Sequence, residues 1–242
     1  MTAIAAIELP NAPTLRGAIR AGASDLFYHS IRVVPANVVV GIGLIVAALA
    51  WVRVGPLPAL LVVALLGVPL SGLAQLGANA TRGRDVNLSD VLDPVRGRPV
   101  AVLAAGAGFT LAAFVLAVNV ASGVLTGNVV AFALGTLAGW GLLGLFAVGY
   151  AFWPLLVDPE RAGRPALEAL RLAGLLLLAH PVRMVVLALL LTGVLLVSTI
   201  LFASLLTVSV GFVLLVAARF VLPAADRLEA ALGRMPTDVN VS

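Results

Sequence analysis

Two histidines, a cluster of aspartates and two amides in apolar surroundings are the residues of this sequence that could carry chemistry. His29 and His180 each stand three residues before an arginine, Arg32 and Arg183, at the mouth of an apolar run. Imidazoles can hold zinc, but a structural zinc site wants four Cys or His ligands. The chain has no cysteine and only these two histidines. All four residues therefore read as interfacial positions, where imidazole and guanidinium remain wet, and no metal or cofactor is expected.

Asp85, Asp90 and Asp93 lie among Arg82, Arg84, Arg96 and Arg98. A carboxylate pair could do acid–base work, but a solvated loop with local ion pairs is the simpler reading. Ser89 is placed to cap a short helix there. Asp158-Pro159-Glu160 reads as a turn, with Arg164 and Glu168 spaced to pair on the following helix. No Ser-His-Asp spacing, HExxH, Walker glycine loop or dinucleotide fingerprint occurs, so no catalytic residue is expected. Asn37 and Gln75 are the candidate polar positions inside the membrane. A buried amide needs partners, either in a neighbouring helix or in a neutral substrate bound at a helix broken by Pro69.

The elements that must position these groups are apolar helices. Of 242 residues, 62% are hydrophobic and only 11% charged, against about 25% charged in a soluble domain. Mean hydropathy is +1.14. A spanning helix takes about 20 apolar residues, and such stretches occur at 33–51, 57–78, 100–120 and 129–157. Trp153-Pro154 is expected to form an interfacial anchor and helix boundary. The run 184–222 would extend roughly 58 Å as one helix, so two spans with a turn near 203–209 fit it better; five spans in all is the alternative. The expected fold is an all-α polytopic bundle of about six spans, arranged as three hairpins with interfacial amphipathic segments. Residues 1–32 form a cytoplasmic or interfacial start and 223–242 a cytoplasmic tail.

Charge placement supports an even count. Every basic residue is arginine, and 14 of the 15 fall in the four segments that six spans put on one side; only Arg53 falls on the other. Basic short loops stay cytoplasmic, so both termini are expected there. The pI of about 10.9 follows from this asymmetry and does not require nucleic acid as a partner. The start MTAIAAIELP carries Glu8 and lacks a basic opening, so a cleaved signal peptide is not expected. Gly135 and Gly139 make a GxxxG pair suited to close helix packing, within one protomer or between two. Three stretches share one plan of an amphipathic segment, a basic residue and a long apolar run, which suggests a repeat.

Three passages resemble the YesL-like family of small bacterial membrane proteins, a domain of unknown function. They are the Gly55-Pro56 turn leading into RGRDVNLSDVLDPVRGRP, then Phe152-Trp153-Pro154-Leu155-Leu156-Val157, and ALEALRLAGLLLLAHPVRM. The resemblance implies a bacterial inner-membrane location and an association with carbohydrate uptake. The chain departs from the family's pattern in using only arginine and in its Ala/Gly/Val-rich core. The expected role is a non-enzymatic accessory or scaffold subunit, with the lipid bilayer and a membrane-protein partner or second copy as its contacts. The alternative is an autonomous transporter or channel for a neutral or apolar small molecule.

Overall fold

The computed structural model describes residues 14–201 and 208–233, and among these every regular element is helical. The helices are α1 (Leu15–Tyr28), α2 (Ser30–Arg53), α3 (Pro56–Leu65), α4 (Gly67–Thr81), α5 (Asp93–Gly97) and α6 (Pro99–Leu125). They continue as α7 (Val129–Val157), α8 (Ala166–Ala179), α9 (Pro181–Ile200) and α10 (Val210–Ala231). Short 3-10 turns lie at Leu88–Leu92 and Pro159–Arg161. The turn expected near 203–209 falls almost wholly outside the described residues.

Five helices are long and apolar enough to cross a membrane: α2, α3 and α4 taken together, α6, α7 and α9. The α3–α4 span breaks at Leu66, three residues before Pro69. A proline lacks the N–H and crowds the carbonyl four residues back, here that of Leu65. The α2–α3 turn uses Gly55 at φ +130°, a backbone conformation that a side chain would oppose.

Helix α10 is of another kind. It carries Arg219, Asp226, Arg227 and Glu229, and its stretch before Pro223 reaches only about 20 Å at 1.5 Å per residue. From Val213 through Leu222 it is buried on every side except at Arg219, as an apolar stretch of helix must be. It contacts α1, α2, α4, α7, α8 and α9. Small residues permit this crowding. A Cβ on Gly22 of α1 would meet the Val216 side chain at 2.7 Å, and one on Gly77 of α4 would meet the Leu214 carbonyl at 3.2 Å. The helix does not stop at Pro223, where the last span was expected to end; it runs to Ala231 with Ala225 and Glu229 buried.

Two other expectations are corrected. Trp153 is buried, with its ring 6.2 Å from that of Phe109, so it is a core residue and no interfacial anchor. Helix α7 passes through Pro154 and ends at Val157. Near a helix C-terminus, proline removes a single backbone bond, and the packing of Phe109, Phe152 and Trp153 holds the helix through that loss.

A single residue, His29, Arg98 or His180, separates each of α1, α5 and α8 from the long helix that follows. The most extensive contact is between α6 and α7, where Gly135 lies against Gly123. A Cβ on Gly135 would sit 2.9 Å from the Gly123 Cα. Gly139 is looser, its nearest neighbour being a Val120 methyl at 4.0 Å. Gly144, on the same helix, has open space beside it. Gly135→Ala is therefore expected to destabilise by about 1–3 kcal/mol through overpacking. Gly144→Ala is expected to be neutral or stabilising by up to about 1 kcal/mol, since alanine is the better helix former. Thermal unfolding of the two variants in detergent reads the difference in sign.

Candidate functional site

The charged residues that sequence spacing assigns to separate loops meet at one end of the bundle. Arg82 follows the last turn of α4, where a cation is favoured by the helix dipole. Asp158 ends α7, and its Oδ1 accepts the Glu160 N–H at 3.2 Å, shaping the turn that presents Arg161. Asp226 and Glu229 are three residues apart on α10 and so share a face. The C-terminal ends of α4, α7 and α10 are thereby joined by side chains.

The geometry is dense. Arg82 donates to both oxygens of Asp158, at 3.1 and 2.7 Å, and to both oxygens of Asp226, at 2.7 and 3.0 Å. It also pairs with Glu160 at 2.8 Å. Arg161 donates to Asp158, to Asp226 at 2.7 Å and to Glu229 at 2.8 Å. Arg164 completes the set by donating to Glu229 at 2.6 Å. Arg98, at the break before α6, donates to the main-chain carbonyls of Arg164 at 2.9 Å and Leu156 at 3.4 Å. Three arginines (Arg82, Arg161 and Arg164) thus face four carboxylates (Asp158, Glu160, Asp226 and Glu229), with Arg98 held beside them by main-chain carbonyls.

Protonation states follow from this pairing. Burial opposes charge on Arg82 and Arg161, but hydrogen bonds and attraction from Asp158, Asp226 and, for Arg161, Glu229 outweigh it and hold both guanidiniums protonated. Burial likewise pushes the Asp226 carboxyl up, and Arg82 and Arg161 more than reverse that, holding it below its ordinary value of 3.8. Asp226 thus has no proton to give near neutral pH, and the cluster acts as an interhelical latch whose donors, the Arg161 Nε–H excepted, are turned on its acceptors.

Three other polar contacts tie helices together. Asp25 of α1 takes a two-pronged bond from Arg219 of α10, at 2.6 and 2.7 Å. Asn37 of α2 is fully buried, and its Oδ1 accepts the Gly211 N–H at 2.6 Å. That bond ties α2 to the first turn of α10. Gln75 donates to Asn79 at 2.9 Å, and Asn79 donates to Asp90 at 3.0 Å. That chain fastens the 3-10 turn onto α4. The two amides are engaged separately, Asn37 with α10 and Gln75 with Asn79.

Several local expectations change. The 3-10 turn is capped by Asn87 in a capping box with Asp90, not by Ser89. Arg82 pairs across the sequence instead of with Asp85, Asp90 or Asp93, and Arg164 takes Glu229 in place of Glu168. A buried carboxylate on α10 satisfies Arg164 better than an exposed one on the next turn. His29 faces Arg32, Nδ1 to guanidinium, at 3.4 Å, whereas His180 and Arg183 are exposed. Among the described residues no group of three or more His, Cys, Asp or Glu side chains could hold a metal ion.

No family model matches the chain, and no curated protein or solved structure does either.

The latch separates its members energetically. The Asp158 side chain is fully buried between two arginines, whereas that of Glu160 is 49% exposed. Asp158→Asn leaves buried guanidiniums short of a counter-charge and is expected to lower stability by about 3–5 kcal/mol. Glu160→Gln removes a wet pair and is expected to cost at most about 1 kcal/mol. Denaturation of both variants in the same detergent tests this ordering.

Proposed function

We propose that this chain is a six-span protein of the cytoplasmic membrane, with both ends in the cytoplasm, that serves as a non-enzymatic accessory or scaffold subunit of a membrane complex. The sixth span is the run that ends in α10, and the latch end of the bundle is its cytoplasmic face. The arginine asymmetry supports that orientation, because the latch arginines belong to the basic segments. A link to carbohydrate uptake is what the YesL-like resemblance implies, and it rests on the three quoted passages alone.

One observation carries the scaffold role. Only 11% of the most apolar stretch of α6, and likewise of α7, is buried within the protein, against 33% for α2, 39% for α3–α4 and 28% for α9. The α6–α7 pair is closed on itself by Gly123 and Gly135 and presents Leu134, Leu137, Trp140 and Phe132 outward. A large aromatic and aliphatic face of this kind suits a neighbouring transmembrane helix as well as lipid, and aromatic residues are favoured anchors at such contacts. Asn37 and Gln75, the positions that the transporter reading would use, are bonded to the Gly211 N–H and to Asn79, which favours the scaffold reading.

The test is isolation of the tagged protein from its native membrane in mild detergent. A stoichiometric partner that survives a salt wash is expected, and Trp140→Ala should reduce its recovery while leaving the melting temperature of the chain unchanged. A partnerless protein that moves a neutral solute across proteoliposomes on its own would contradict the reading.

A further inference from the structure

Beside the latch lies a cavity of about 320 Å³ between the end of α7, the face of α8 and the end of α10. Its polar wall contains Arg98, Arg161, Arg164 and Arg171, with Glu168 and Glu229 as the carboxylates. Glu229 is committed to Arg161 and Arg164. Arg98 has only main-chain acceptors, and Arg171 is exposed on α8. Arg161 and Arg164 are already paired by Asp158, Asp226 and Glu229, so the wall's charges outside the latch are Arg98 and Arg171 against Glu168, one positive charge in excess. Arg161 is 5% exposed, yet its Nε–H has no hydrogen-bond acceptor among the described residues. A buried, unsatisfied guanidinium donor calls for an oxygen acceptor.

The remaining wall is apolar, formed by Leu155, Leu172 and Leu175. Helix α8 turns Glu168, Arg171, Leu172 and Leu175 to the cavity while Leu167 and Leu178 stand out, exposed. An amphipathic helix with this division lies where acyl chains give way to headgroups. A ligand here needs anionic oxygens for the arginines and an apolar body for the leucines.

We propose that this cavity binds the phosphate of an anionic phospholipid, with Arg98, Arg161 and Arg171 around the headgroup and the leucine wall against the glycerol and upper acyl chain. Basic pockets at the cytoplasmic end of helix bundles are suited to such headgroups, and guanidinium forks match phosphate oxygens. The inference rests on membrane embedding and not on the scaffold role, so its failure leaves that role standing.

Native mass spectrometry of the detergent-purified full chain, titrated with phosphatidylglycerol or phosphatidylcholine, tests it. One saturable phosphatidylglycerol adduct is expected, absent with phosphatidylcholine and resistant to millimolar inorganic phosphate. Arg171→Gln, a change at an exposed side chain, should weaken that adduct roughly fivefold or more. Arg53→Gln removes the same charge far from the cavity and should leave it unchanged. Equal binding of the two lipids, or equal weakening by both substitutions, would overturn the proposal. Displacement of the lipid by inorganic phosphate would overturn it too, by making the site one for a soluble anion.

Discussion

Charge cannot be left unpaired beside an apolar layer, and the fold is organised around that restriction. A guanidinium or carboxylate taken out of water costs several kcal/mol unless another charge meets it with good geometry. Arg82, Arg161 and Asp158, at the ends of α4 and α7, are nearly withdrawn from solvent, and α10 supplies Asp226 and Glu229 to complete them. Because the partners lie on different helices, the charges are satisfied only when α4, α7 and α10 end at one level. The latch thus sets the vertical register of three helices whose apolar surfaces could otherwise slide past one another.

Its value is one of specificity more than net stability. Buried ion pairs often do no better than well-packed apolar residues of the same volume, yet breaking one by removing a partner is costly. Helices surrounded by lipid gain little from hydrophobic association, so close packing and a few directional bonds must choose the arrangement. Here Gly22, Gly77 and Gly135 bring backbones together. The Asn37–Gly211, Asp25–Arg219 and Gln75–Asn79–Asp90 bonds then fix how the helices are turned. Only the outer face of the α6–α7 pair, at Phe132, Leu134, Leu137 and Trp140, is left for lipid or a partner.

Much of the architecture was legible in the sequence because hydropathy and charge are properties of single segments. The apolar runs became helices of the expected kind, and fourteen arginines on the segments assigned to one side foreshadowed a charged end. Pairing was not legible. Arg82 and Asp158 are 76 residues apart, and Arg161 and Glu229 are 68 apart, so no local rule selects them over Asp85 or Glu168. The role of Asn37 was hidden for a different reason: its partner is a backbone N–H, and every residue but proline has one. Gly135 was visible as a small residue, but its partner Gly123 lies on another helix. Pro154 was read as a helix boundary, yet packing carried α7 past it. The same tertiary contacts turned Trp153 from an interfacial residue into a core residue.

The claim on which the account turns is that the latch end of the bundle faces the cytoplasm while the turns at 54–55 and 126–128 face the other side. The chain has no cysteine, so single-cysteine variants report without background. Asp85→Cys, Ala162→Cys, Val54→Cys and Thr126→Cys all place the thiol at an exposed position. With a membrane-impermeant maleimide, the Val54 and Thr126 variants should react in intact cells, and the Asp85 and Ala162 variants only after permeabilisation. Labelling of all four in intact cells, or the reverse pattern, would contradict the account.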